Sequence, residues 1–169
     1  EGADVAIVYL SEHQDAQDTR MYIDREGRRS LAISGDVRDS AFCNEAVAQT
    51  IAAFGQLDIL VNNAAFQKHC DSLEDLTDFH LQETLQTNIA GYFHLARAAL
   101  SYLENGSCII NSGSETGLFG HKGLLYYSAT KGAIHAFTLS LASQLLPRGV
   151  RVNAVAPGPV WTPLDLPHK

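Results

Sequence analysis

The chain has 169 residues, is 46% hydrophobic and carries a net charge of −7 at pH 7. That apolar content supports one domain with a packed core, and no run of about eighteen apolar residues suggests a membrane span. The acidic balance argues against nucleic acid as a main partner, because phosphate binding needs clustered Lys and Arg. Cys43, Cys70 and Cys108 are odd in number and too widely spaced for a metal knuckle or a dense disulfide frame. Reduced thiols in a cytoplasmic protein are the expectation.

In chain order, residues 4–10 (DVAIVYL) form a β-branched run that reads as a buried strand, with Ser11 as a helix-cap candidate. A polar helix through about Glu26 stops at Gly27. Residues 31–37 (LAISGDV) read as a second strand, with Asp36 near its carboxyl end. Asp39 or Ser40 caps a helix whose apolar positions Phe42, Ala46, Val47, Ile51 and Phe54 recur at helical spacing, and Gly55 ends it. A third strand covers 58–62, and one long helical region covers 76–103. A strand at 107–111, a helix at 125–146 and a strand at 150–156 follow, before Pro157-Gly158-Pro159 breaks regular structure. Strands alternating with helices predict parallel βαβ units in a doubly wound α/β sheet covered on both faces. Ligands sit outside the carboxyl ends of such strands, where Asp36, Asn62, Ser114 and Pro157-Gly158 all fall.

Tyr127 and Lys131 lie four apart on a predicted helix, so a phenol and an ammonium share one face. A cation close to a phenol favours the phenolate and moves it towards neutral pH, where it can exchange protons. A surface lysine beside a core tyrosine is the bland alternative for that pair taken alone. Ser114, thirteen residues earlier, can hydrogen-bond a carbonyl or alcohol oxygen, and an ordinary polar loop is its alternative. A serine nucleophile is disfavoured, because Gly113-Ser114-Glu115 is not a GxSxG elbow. Asn88 sits in an otherwise apolar helix and needs hydrogen-bond partners, whether for a ligand or to tie helix to strand. Gly113, Gly117, Gly120 and Gly123 form no phosphate-loop motif and read as loop flexibility. The seven histidines show no paired-ligand spacing, so no metal site is expected. Phe66, His69, His121 and Trp161 lie on loops that should face the crevice.

With Asp36 after a strand, Asn62-Asn63-Ala64, Asn88, Ser114, Tyr127-x-x-x-Lys131 and Pro157-Gly158 in this order, the chain resembles the short-chain dehydrogenase/reductase family over its whole length. The resemblance implies a partial NAD(P)-binding Rossmann-like domain over residues 1–169, of the simple single-domain type. It implies an oxidoreductase that transfers a hydride between a nicotinamide cofactor and an aldehyde, ketone or alcohol. Tyr127 would be the general acid or base, Lys131 would tune it and bind the nicotinamide ribose, Ser114 would hold the substrate oxygen, and Asn88 would seat a relay water. Asp36, Val37, Asn62, Ala64, Tyr127, Lys131, Pro157, Gly158, Val160 and Thr162 would contact the cofactor. Residues 156–162 (APGPVWT) are similar to a bacterial subgroup of NADP-linked aldehyde or alcohol oxidoreductases. NADP is favoured over NAD, because no acid follows the first strand until Glu12. The full-length parent is expected to form a homodimer or homotetramer.

Two departures from the family pattern carry consequences. Ala65 stands where the NNAG motif has glycine, and the glycine-rich TGxxxGxG loop is absent because Glu1 to Leu10 matches the family's second strand. The expectation is therefore a fragment of a chain of about 250 to 300 residues, without the first strand, its loop and helix, and without the C-terminal lid and last strand. Such a sheet would be split between 4–10 and 58–62, with unpaired backbone at the break. The alternative function is a catalytically inactive fragment acting through helix-mediated association.

Overall fold

The computed structural model describes residues 2–160 and Leu164. Two parallel strands, β1 (Val5–Tyr9) and β2 (Ser30–Ser34), flank helix α1 (His13–Arg25) and pair from Val5 opposite Ser30 to Tyr9 opposite Ser34. Helix α2 (Ser40–Phe54) leads to β3 (Ile59–Asn62), which pairs in parallel with β4 (Cys108–Ser112), and β4 pairs in turn with β5 (Arg151–Val155). The sheet is thus in two pieces, and among the described residues no ladder joins β1 to β3. That is the break expected from the sequence, and Ile59 and Val61 on β3 remain about half exposed.

The helices follow local chemistry at their ends. Asp39 caps α2 by accepting from the Ala41 N–H, and Gly55 closes it with φ of 86°, in the left-handed region that glycine enters without strain. Ser11 does not cap α1, contrary to expectation, because its N–H and hydroxyl both donate to the carboxylate of Glu12. The second strand ends at Ser34 rather than Val37, where Gly35 donates to Tyr9 O and the chain turns through Asp36. The long helix expected over 76–103 is composite. Thr77 caps α3 (Asp78–Leu85), a π-helical turn spans Gln86–Ala90, and α4 (Gly91–Ala99) follows. Asn88 occupies the wide turn, which is the usual place for a residue with a specific polar task.

After β4, a short helix α5 (Thr116–Phe119) precedes the 21-residue α6 (Leu125–Leu145). The glycines of this stretch, expected to supply loop flexibility, mostly supply close approach. A Cβ on Gly117 would lie 2.6 Å from the Lys131 carbonyl carbon and 2.7 Å from the Gly132 nitrogen, and one on Gly113 would lie 2.6 Å from the His135 ring. Only Gly120, with φ of 74°, has the conformational role.

The core gathers Val47 of α2, Leu60 of β3, Leu95 and Ala99 of α4, Ile109 of β4, Leu145 of α6 and Val152 of β5. The β1–β2 piece joins it where Val37 packs on Gly91 and Val37 O accepts from His94 Nδ1 at 3.1 Å. A polar ladder crosses the same core: Asn62 donates to Asn111 at 2.9 Å, Asn111 to Thr138 at 2.9 Å, and Thr138 to Ile134 O at 2.8 Å. No described helix is long and apolar enough to cross a membrane.

Because α5 approaches α6 backbone to backbone, Gly117→Ala should lower the unfolding free energy by about 1–3 kcal/mol, the usual cost of overpacking. Urea unfolding measures it, and an unchanged midpoint and slope would refute this packing.

Candidate functional site

The site forms where β3, β4 and β5 end. Beyond β4 the chain stays zipped to β5, because Gly113 N–H donates to Val155 O at 2.8 Å and Glu115 N–H donates to Pro157 O at 3.1 Å. This brings Pro157-Gly158 across from Ser114. The Ser114 hydroxyl oxygen accepts from the Thr116 N–H at 3.1 Å and from the Thr116 hydroxyl at 3.0 Å, which leaves its own proton to donate. His135, two turns along α6 from Tyr127, meets Ser114 O at 3.2 Å and so steadies the backbone that carries this hydroxyl.

Tyr127 and Lys131 are one turn apart on α6, as their spacing predicts. Lys131 is only 1% exposed; its ammonium donates to Ser112 O at 2.6 Å and to the Tyr92 hydroxyl at 3.4 Å. It lies 5.3 Å from the Tyr127 ring centre and 5.5 Å from that of Tyr92, a cation–π distance in each case. Among the described residues no carboxylate pairs with it. Burial, which disfavours the charged form, lowers its pKa from 10.5 to about 8. Burial pushes the Tyr92 phenol the other way, further raised by the proximity of Tyr127.

A cleft of about 620 Å³ opens on these groups, lined by Asn63, Ala64, Ser114, Tyr127, Lys131, Pro157, Gly158 and Val160, with Glu115, His121 and Leu164 on its rim. Ser114, Tyr127, Lys131, Ala64, Pro157, Gly158 and Val160 are therefore brought together as the sequence suggested. Thr162 and Trp161 lie outside the described residues.

Other expected site residues are engaged elsewhere. The Asn62 amide nitrogen belongs to the buried ladder with Asn111, while its Oδ1 is buried without a hydrogen-bond partner among the described residues, and its neighbour Asn63 lines the cleft. The Asn88 amide accepts from Phe66 N–H at 2.7 Å and donates to Phe66 O and to Thr130 Oγ1, each at 3.0 Å, so it ties the loop after β3 to the residue before Lys131. Asp36 is held by Arg38 through Nε at 2.7 Å, the backbone N–H at 2.9 Å and a guanidinium nitrogen at 2.5 Å, and Arg38 also pairs with Glu83. The Arg38 guanidinium keeps the Asp36 carboxyl below the usual carboxylate range. Val37 is buried against Gly91. Of the loop residues, His121 reaches the cleft, whereas His69 pairs with Asp71 and Phe66 stacks near His80.

Sequence reasoning passed over Tyr92, His135 and Glu115. Tyr92 and His135 each sit one helical turn from a singled-out residue, Asn88 and Lys131 respectively, and that spacing is the only signal that pointed to them.

A parallel α/β fold with serine, tyrosine and a buried lysine converging at the strand ends has the layout of the doubly wound folds that bind ligands outside the carboxyl ends of their strands. The family model described as enoyl-(acyl carrier protein) reductase matches residues 1–167. An uncharacterized oxidoreductase of Bacillus subtilis, YhxC, is 55% identical over 164 residues, covering 97% of this chain and 58% of its own. The chloroplastic NADPH-dependent aldehyde reductase 1 of Arabidopsis thaliana is 43% identical over 170 residues, covering 97% and 59%. A short-chain dehydrogenase from Burkholderia cenocepacia, solved in complex with NADP, superposes with a TM-score of 0.93 at 38% identity, covering 97% of this chain and 67% of that one. The chain belongs to the short-chain dehydrogenase/reductase family. It spans a little under three fifths of the length of these curated relatives.

The buried ammonium has a thermodynamic signature. The folded state holds the Lys131 proton less tightly than the unfolded state, so its cost is present below about pH 8 and fades as pH rises towards 10.5. The stability of Lys131→Met relative to the parent should therefore fall by on the order of 3 kcal/mol between pH 7 and 10.5, at about 1.4 kcal/mol per pKa unit. Urea unfolding across that range measures it, and a pH-independent difference would place the ammonium in water.

Proposed function

We propose that the chain carries the proton-transfer half of a nicotinamide-dependent oxidoreductase that interconverts an aldehyde or ketone and an alcohol. The observation that carries this reading is the buried Lys131 ammonium beside the Tyr127 ring, on a cleft that also holds the Ser114 hydroxyl. Ser114 holds the substrate oxygen, and Tyr127 gives that oxygen its proton in reduction and removes it in oxidation. The Lys131 cation stabilises the phenolate that Tyr127 becomes, and Tyr92 with Ser112 O holds the cation in place. Asn88 acts at one remove, through Thr130 and the Phe66 backbone, by setting the position of the helix turn that carries Lys131.

The residues present suit a nicotinamide. The cleft lies at the carboxyl ends of three parallel strands, and Gly158 presents no side chain to it. Asn63, Ala64, Pro157, Gly158 and Val160 would flank the ring and Lys131 would meet the ribose, while the cofactor supplies the hydride. We further propose that it is NADP in preference to NAD. Both carboxylate oxygens of Glu12, the first acid after β1, are engaged by Ser11, and the Arabidopsis and Burkholderia relatives bear NADPH and NADP in their descriptions. The three cysteines are unpaired and buried, which suits the proposed cytoplasmic setting. Phe93, 50% exposed on α4 and packed against Phe137 of α6 with the rings tilted, together with Leu139, 72% exposed, supports homodimer or homotetramer assembly through this helix pair.

Tyr127→Phe should lower aldehyde-dependent NADPH oxidation by about a hundredfold or more while leaving NADPH fluorescence titration unchanged. Full activity in that variant would refute the assignment. In the parent, NADPH should be turned over faster than NADH, and a tenfold preference for NADH would overturn the cofactor assignment. Light scattering should give twice or four times the chain mass, and a monomer would refute the assembly.

A further inference from the structure

We propose that Glu115 selects substrates that carry a hydroxyl on the carbon next to the reacting carbonyl, so that the site takes alpha-hydroxy aldehydes or ketones and the corresponding vicinal diols. This inference rests on the oxidoreductase reading of the same cleft.

Glu115 directly follows Ser114, and its backbone N–H is anchored on Pro157 O at 3.1 Å. Its side chain crosses towards the β5 rim, with Oε2 3.3 Å from where a Cβ on Gly158 would stand. The absence of a side chain at 158 thus leaves room for a carboxylate on the cleft wall. The other acids near the sheet ends are engaged: Asp36 by Arg38, and Glu12 by Ser11. Among the described residues the Glu115 carboxylate has neither an ion pair nor a hydrogen bond, although it lines the cleft. An ionised carboxylate is an acceptor only, so a ligand that complements it must bring a donor.

His121 narrows the choice. Its Nδ1 accepts from the Gly123 N–H at 3.2 Å, so in the neutral ring the proton is on Nε2, and His121 lines the same cleft. A group placed between a carboxylate and an imidazole N–H must donate to one and accept from the other. A hydroxyl does both, whereas an ammonium only donates and a carboxylate only accepts. Ser114 and Glu115 line the same cleft, and with Ser114 holding the carbonyl oxygen the proposal places the Glu115 carboxylate at the neighbouring carbon of the substrate. In reduction, a hydride from NADPH adds to the carbonyl carbon and the Tyr127 proton to its oxygen. A vicinal diol and NADP result, and the hydroxyl held by Glu115 keeps its proton throughout.

The test compares glyceraldehyde with propanal, each with NADPH, in the parent, Glu115→Gln and Glu115→Leu. The parent should show the higher kcat/KM with glyceraldehyde. The glyceraldehyde-to-propanal ratio should fall roughly 10- to 100-fold in Glu115→Leu, as expected when a hydrogen bond to a charged group is lost, and by less in Glu115→Gln. Propanal turnover in the same variants shows that they are folded. A parent that prefers propanal, or a ratio unchanged in both variants, overturns the assignment to Glu115 and leaves the oxidoreductase reading standing. A parent that reduces neither aldehyde overturns both.

Discussion

A single cation organises this molecule. Lys131 is buried on α6 without a carboxylate partner among the described residues, and it is held by the last carbonyl of β4 and by the hydroxyl of Tyr92 from α4. Removing an ammonium from water costs several kcal/mol unless its protons are accepted, so three elements must meet at this point for the fold to tolerate it. Once they meet, Tyr127 is fixed one helical turn away and Ser114 two residues beyond the strand. The holding of a buried charge and the geometry of the cleft that Ser114, Tyr127 and Lys131 line are one feature.

The close approach of α5 to α6 follows the same logic. Gly117 and Gly132 let the two backbones come together at Lys131 itself, and Gly113 admits the ring of His135 behind Ser114. Neither contact tolerates a side chain, so the small residues set distances around the site rather than loosen a loop. On the opposite side, the π-helical turn at Asn88 supplies a wide helical register in which one amide can grip both the Phe66 backbone and Thr130. The polar residues of the core, Asn62, Asn111 and Thr138, are likewise a structural ladder joining strand to helix.

Asp36 and Asn62 stand at strand ends, where a dinucleotide lies in such folds, but their side chains already have partners in Arg38 and Asn111. The wall is made instead by Asn63 and Ala64 from one strand end and Pro157, Gly158 and Val160 from the other. Helix packing and the contacts of Val37 with Gly91 and His94 hold the two pieces of the sheet together, and among the described residues no ladder joins β1 to β3.

The sequence by itself determined the alternation of strands and helices, the parallel sheet and the alignment of Tyr127 with Lys131, because hydrophobic period and helical spacing are local properties, while the break in the sheet came from the family resemblance. It also marked Ser114 and Pro157-Gly158 as strand-end residues, since the ends of apolar runs are visible in the chain. Only the tertiary structure decided which of the polar residues at those ends reach the cleft. Asn62 and Asn63 are indistinguishable as neighbours, yet Asn62 ends β3 facing the core and Asn63, just beyond the strand, lines the cleft. Asn88 became a brace because its partners lie 22 and 42 residues away. Glu115 was passed over because an acid has no special pattern in the chain, and its lack of a partner is a fact about what surrounds it in space.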